Sequence, residues 1–415
     1  MKRISRLLLL MGALTTAVTG AAGANEVTDW NQIMFQAALV PPATNPLVMT
    51  RVSAIVESSV FDAVNGIARK YAPIHVAPAA PKGASRRAAA VQAAYVTLSF
   101  FYPAQQAMLD EKRTASLAAI HSGDKAKEKG IAWGQTVADA ILAWRSTDGI
   151  APPPPPFTGG TNPGQWRPTP PFFLPGAGVQ FATMVPWSIE SPSQFRPSGP
   201  PSLGSARYAS DVGETQLMGS LTSAVRSADQ TLFSQFWAAS TAPYYWNQIA
   251  ISLDSHHQSV LKKARLLALL NVSMADAAIA CWDAKYTYVF WRPVTAIDFQ
   301  DPSWAPLLFT PNHPEYPSGH STVSSAAAGV LRDRFGEFTA FSVTSDVMLG
   351  VVRSFASFSA ALDEIKNARI YAGIHFRSAC DDGGDTGDAV AGYVLAHTAL
   401  PTHDADGGDD DGEED

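Results

Sequence analysis

MADAAIACWDAKYTYVFWRPVTAI, residues 274–297, is the stretch on which the reading of the fold turns. Its apolar residues return at three- and four-residue intervals and it is rich in alanine, the pattern of a helix packed into a core. Lys285 and Arg292 stand seven positions apart, about two helical turns, so a continuous helix presents both cations on one face. Pro293 then ends or kinks that helix. Cations in so apolar a segment either snorkel to a rim or share an anion.

The same periodicity recurs over 49–67, 86–101, 105–120, 125–144, 258–290, 321–335 and 381–400, whereas strand-like alternation is scarce. Residues 149–205 break it with PPPPP, TGGTNPG, TPPFFLPGAG and PSGPPSLGS, an extended connection too long to be a simple turn. The expected fold is all-α, with two packed helical bundles, 25–148 and 206–400, joined by the Pro/Gly-rich connection 149–205.

The chain has 415 residues, 46% of them hydrophobic and 16% charged, enough for a sizeable core. Residues 1–24 have a basic start, an apolar run and an Ala22-Gly23-Ala24 ending, which reads as a signal peptide and predicts a periplasmic or secreted protein. Beyond it no uninterrupted apolar run reaches membrane-spanning length, since 266–282 is broken by Asn271, Ser273 and Asp276. No integral membrane span is expected. The formal charge is −7, but DADGGDDDGEED at the C-terminus carries eight acidic residues and the first six residues carry Lys2, Arg3 and Arg6, so the body between is −2. A body so nearly neutral gives no electrostatic case for nucleic acid. The tail 401–415 reads as a disordered, solubilising end. His256 and His257 are adjacent, point in different directions on a helix, and read as surface residues.

EYPSGHST, residues 315–322, places Ser318, Gly319 and His320 directly before an apolar helical run, where unpaired backbone N–H groups are available to an anion. Such Ser-Gly pairs also serve as ordinary caps. A third block, ARIYAGIH at 368–375, sets His375 six positions after Arg369. Lys285, Arg292 and Arg369 together make three positive charges that an apolar neighbourhood tolerates only with an anion to share. A phosphate- or vanadate-like oxyanion is the natural guest.

The order K-x6-R-P, PSGH, R-x5-H resembles the signature of the superfamily that joins type 2 phosphatidic acid phosphatases (PAP2), soluble bacterial acid phosphatases and vanadium-dependent haloperoxidases. Twenty-three residues separate Pro293 from Pro317 and 48 separate His320 from Arg369. The flanks 274–297, 311–322 and 369–383, with WSIESPSQFRP at 187–197, are similar to the haloperoxidase branch, and FDAVNGI at 61–67 to its exported bacterial members. The resemblance implies that His375 bonds to the central atom, to vanadium as the lone protein ligand or to phosphorus as the nucleophile. It implies that Lys285, Arg292 and Arg369, with the Ser318 hydroxyl and the Gly319 N–H, hold the anion's oxygens, that Lys285 also acts in catalysis by polarising bound peroxide, and that His320 is the acid–base group. Ala368 stands where the family usually has serine and Ala379 where an aspartate is common. The carboxylate partner of the histidines is therefore open, with Asp381 and Asp382 arriving late.

The implied activity is oxidation of halide by hydrogen peroxide at a histidine-bound vanadate. His313 lies where bromide-oxidising relatives place an extra histidine, which favours bromide. An acid phosphatase acting on phosphomonoesters, with no vanadate cofactor, is the alternative, and a non-catalytic oxyanion-binding protein a remoter one. Trp282 and Trp291 flank the first block and read as packing residues. Cys281 and Cys380 lie in segments that the resemblance brings together at the pocket, and a disulfide between them is expected. Homo-oligomerisation is left open.

Overall fold

Capping chemistry sets where the longest helices start. In the computed structural model, which describes residues 25–254 and 258–402, Asn45 accepts the N–H of Leu47 at 2.9 Å and Pro46 takes the first helical position, opening α2 (Pro46–Ala68). Ser259 caps α9 (Val260–Tyr288) in the same way, and Ser318 caps α11 (Gly319–Phe335). The remaining α-helices among the described residues are α1 (Glu26–Ala38), α3 (Arg86–Phe101), α4 (Gln106–Ala119), α5 (Asp124–Arg145), α6 (Ala206–Met218), α7 (Ala228–Ala239), α8 (Ala242–Leu253), α10 (Pro293–Asp298), α12 (Phe358–Tyr371) and α13 (Arg377–His397). The fold is all-α, with one small antiparallel hairpin, β1 (Phe341–Thr344) and β2 (Val352–Phe355), registered by Phe341 opposite Phe355.

α9 is the axis of the molecule. It packs on α2 from the first half of the chain and on α11 and α13 from the second, so one continuous core runs from Val27 to Ala399. By length and composition α9 could cross a membrane, but 94% of its apolar window is buried by its neighbours. A helix apolar on every face is a core helix when other helices cover it.

The buried carboxylates on α9 have a separate task. Asp276 accepts the backbone N–H groups of Trp187, Ser188 and Ile189 at 2.8, 2.8 and 3.0 Å. Asp283, two turns later, takes a bidentate pair from Arg196 at 2.6 and 2.7 Å. The irregular connection is thereby fastened to the central helix, with its backbone donors satisfied by side chains where no ladder is available. In FDAVNGI the same logic holds: Asp62 accepts the N–H groups of Ile74, His75 and Val76, and Asn65 brackets Tyr71.

One expectation fails at the first block. α9 stops at Tyr288, Val289 turns left-handed (φ 50°), and Arg292 lies outside the helix as the N-cap residue of α10. The reason is tertiary: Val289 accepts the Trp166 N–H at 2.7 Å and Trp291 donates to Gly164 at 2.9 Å, so a strand-like pairing with the long connection replaces the last helical turn. The segment 1–24, His256 and His257, and the tail from 403 onward lie outside the described residues.

Candidate active site

Four chain segments converge at the C-terminal end of α9. Lys285 comes from that end, Arg292 from the start of α10, residues 313–320 from the turn before α11, and Arg369 with His375 from the end of α12 and the loop after it. Lys285 is fully buried, and its Nζ donates to the carbonyls of Pro314, Glu315 and Pro317 at 2.8, 3.0 and 2.5 Å. The ammonium thus gathers the PSGH turn around itself. Arg292 donates to the carbonyls of His313 and Ile374, both at 2.8 Å, and lies 3.1 Å from His375 Nε2 and 2.9 Å from His313 Nδ1.

Because arginine has no acceptor, those contacts decide tautomers. His375 Nε2 must offer its lone pair to Arg292 Nη1, which leaves the ring proton on Nδ1. That N–H donates to Glu315 Oε1 at 2.9 Å, and the same oxygen accepts the Phe376 N–H at 2.9 Å. Glu315 is the residue that the sequence reading left out. Its position inside the quoted EYPSGHST stretch was visible, but only the fold carries it across 60 residues to His375. Asp381 and Asp382 are elsewhere: Asp381 pairs with Lys366, and Asp382 with Tyr316 and Arg207.

Arg369 differs from the other two cations. It is buried, and its Nε and Nη1 have no hydrogen-bond partner. Burying a guanidinium with unmet donors is costly unless a ligand meets them. The Ser318 hydroxyl accepts the Ser321 N–H and the Ser321 hydroxyl, an ordinary cap, so the N–H groups of Gly319 and His320 keep no intrahelical partner. A Cβ on Gly319 would meet the Trp282 ring at 3.1 Å, so glycine keeps that approach clear.

Burial dominates the electrostatics. It pushes Lys285 down to about 8, Arg292 to about 9 and Arg369 to about 10, and it pushes the Glu315 carboxyl up to about 8 against the pull of the Phe376 N–H, Arg292 and Lys285. His375, His313 and His320 are all held well below the usual histidine range, first by burial and then by the surrounding cations. All three are neutral near pH 7, and with Nδ1–H fixed, Nε2 is the nitrogen of His375 that can act as ligand or nucleophile once a guest displaces its contact with Arg292.

Above this floor stands a cavity of about 350 Å³, lined by Gly319, His320, Arg369, His375, His313 and Trp282 below and by residues of α2, α8 and 177–181 above. Lys285, Arg292 and Ser318 lie behind the wall and do not line it. Trp282 faces the cavity and donates to the Ala177 carbonyl, whereas Trp291 packs against Phe299 away from it. Cys281 and Cys380 are both free and buried, contrary to the expected disulfide. Cys281 instead donates weakly to the Pro317 carbonyl at 3.7 Å, so each thiol fills core space beside the turn.

Residues 265–403 match the family profile of the VCPO second helical-bundle domain. Vanadium chloroperoxidase of Curvularia inaequalis is 30% identical over 188 residues, an alignment covering 37% of this chain and only 30% of that protein's length. A bacterial vanadium-dependent iodoperoxidase structure superposes with a TM-score of 0.78 at 28% identity, covering 89% of this chain and 95% of that one. The chain belongs to the vanadium haloperoxidase/PAP2 superfamily. The superfamily fold extends to a holo bacterial vanadium-dependent chloroperoxidase, at TM-score 0.74 and 17% identity over 90% of this chain and 98% of that one.

The residues fit the superfamily's oxyanion. Arg369 has two orphaned donors, the unprotonated His375 Nε2 is held by Arg292, a donor that an oxyanion can engage in its place, and the Gly319 N–H keeps no intrahelical partner. Among the described residues no group of three or more His, Cys, Asp and Glu could hold a metal cation, and an oxyanion gripped by arginine with one nitrogen ligand requires none.

Proposed function

We propose that this protein is an exported vanadium-dependent haloperoxidase that oxidises halide, bromide preferentially, with hydrogen peroxide to hypohalous acid. The observation that carries this reading is Arg369, a buried guanidinium with two unmet donors lining the same cavity as His375, whose unprotonated ring nitrogen is Nε2. His375 Nε2 would hold the vanadium, with its ring steered by Glu315. Arg369 and the Gly319 N–H would meet the vanadate oxygens directly, while Arg292 adds a donor from behind. Lys285, committed to three carbonyls, would act through its positive field and by holding the PSGH turn, and Ser318 by capping α11. Bound vanadate supplies Lewis-acid activation of peroxide toward two-electron oxidation of halide.

His320 would move the proton. It lines the cavity as a neutral imidazole, able to take a proton from incoming peroxide and return it to the oxygen that leaves. His313 would supply the halide contact: its Nδ1 lies nearer to Arg292 Nη2, at 2.9 Å, than to the Pro314 carbonyl, at 3.2 Å, so Nδ1 accepts and Nε2–H is left as a donor on the cavity wall. Named relatives include an iodoperoxidase and chloroperoxidases, so the bromide preference rests on His313 alone.

The test is halogenation of a phenolic dye with chloride, bromide or iodide and peroxide, before and after orthovanadate is added, alongside hydrolysis of a chromogenic phosphate monoester. Vanadate-dependent bromination that vanishes in His375→Ala supports the proposal. Ester hydrolysis inhibited by vanadate, without halogenation, would assign the same residues to an acid phosphatase in which His375 attacks phosphorus.

A further inference from the structure

DADGGDDDGEED, residues 404–415, carries eight acidic side chains, and the fold decides where that charge is delivered. The residues just before it are firmly held. Arg265 on α9 donates to the Ala399 carbonyl at 2.9 Å, the Ala72 N–H to the Leu400 carbonyl at 2.8 Å, and the Thr402 N–H to the Lys70 carbonyl at 3.0 Å. Pro401 forms an isolated antiparallel bridge with Tyr71. Residue 403 therefore follows a chain already tied to the 69–72 segment.

Tyr71 is also one wall of a groove of about 200 Å³. Leu266 and Leu269 of α9 and Val330 of α11 form its buried, apolar part, while Lys262, Arg265 and Arg334 line it with Asp333 as the single acid. Arg69 and Lys70 add two cations at the point of exit, where the Thr402 hydroxyl reaches the Lys70 carbonyl at 3.2 Å. Five cations thus stand against one acid in a molecule whose body carries −2. Among the described residues Arg69, Lys70, Arg265 and Arg334 form no ion pair, whereas Arg51, Arg145, Arg196, Arg353 and Arg377 each hold a carboxylate. Arg265 lies 4.8 Å over the Tyr71 ring, and Arg334, exposed, donates to Gln258 at 2.6 Å. Cations gathered without counter-charges make a local positive field that attracts an anionic segment.

We infer that the acidic segment 404–415 docks on this groove of its own chain, as a latch joining the start of α9 to the end of α11. The reach is ample. Lys262 lies about 4.5 Å along the helix from Arg265, and thirteen extended residues span up to about 43 Å. At about 30 Å³ per water-sized group, the groove admits roughly two aspartate side chains, and the other acids lie over the surrounding cations. A short tether gives an effective concentration in the millimolar range, so the latch closes if the segment's own dissociation constant is below about 1 mM.

The test compares the full chain with one ending at Thr402, using a dye-labelled peptide of residues 403–415 and fluorescence anisotropy. The core lies within residues 27–399, so the shorter chain retains it. In about 20 mM salt the peptide should bind the shorter chain one to one with a dissociation constant below about 1 mM, weakened at least tenfold in about 0.5 M salt. The full chain, its groove already filled, should bind the peptide at least fivefold more weakly. Arg334→Glu in the shorter chain should cost at least fivefold and Arg334→Ala less, while Lys125→Glu, on α5 and outside the groove, should leave affinity within twofold. No saturable binding, equal binding to both chains, or equal losses in Arg334→Glu and Lys125→Glu would overturn the inference. So would dimers of the full chain at low salt that the shorter chain does not form in sedimentation, since they would place the segment on a second copy.

Discussion

Glu315 Oε1 accepts the Nδ1–H of His375 at 2.9 Å, while Arg292 Nη1 lies 3.1 Å from the opposite ring nitrogen. The imidazole is thereby fixed in orientation and in tautomer before any ligand arrives: Glu315 steers the ring from one side, and Arg292 holds the Nε2 lone pair until a ligand takes it.

Removing the carboxylate should cost on both counts. Glu315→Ala leaves the His375 and Phe376 N–H groups buried without a partner, a loss of about 2–4 kcal/mol of stability. Vanadate affinity should fall about 10–100-fold. Glu315→Gln keeps an acceptor for both donors and should recover most of the stability in denaturant titrations; if it is as damaging as alanine, the hydrogen bonds are not what Glu315 contributes.

Arg369→Met should separate stability from binding. The buried guanidinium has unmet donors, so a hydrophobic side chain of similar length should stabilise the anion-free protein, by about 1–4 kcal/mol. Oxyanion affinity should drop at least 100-fold. A lower melting temperature in the absence of anion would show that Arg369 is satisfied in a way these contacts miss.

Anion binding should weaken as pH rises through about 8. Lys285, pushed down to about 8, loses its positive charge over that interval, and Glu315, pushed up to about 8, gains a negative one. Both changes make the floor less positive, and a bound anion opposes both by linkage. Sulfate, whose own charge is constant there, is the probe for calorimetry from pH 6 to 10. Glu315→Gln should make the decline shallower, and a flat profile would remove both groups from the electrostatics.

Lys285→Met should be chiefly a folding defect. It strands three carbonyls, those of Pro314, Glu315 and Pro317, at a cost of about 2–5 kcal/mol. Full stability with lost anion affinity would instead place the ammonium on the ligand.

Cys281 and Cys380 should resist alkylation in the folded protein and both react after denaturation without reductant. A mass lacking two alkyl groups until reductant is added would restore the disulfide.

Much of this molecule was legible in the chain itself. Alanine-rich spacing determined the helical class, and α3 has the limits read from its periodicity because nothing outside it competes for its ends. The three blocks determined the superfamily, since K-x6-R-P, PSGH and R-x5-H carry donors and ring nitrogens in an order that ordinary packing does not demand. What the sequence could not determine was which donors are already spent. Lys285 and Arg292 look equivalent to Arg369 in a list of cations, yet backbone carbonyls that are distant in sequence, those of Pro314, Glu315, Pro317 and Ile374, consume the first two and leave the third to the cavity. The end of α9 before Arg292, the reach of Glu315 to His375 and the cavity over the floor share that cause. Each depends on backbone groups or walls delivered by segments far away in the chain, and local periodicity carries no record of them.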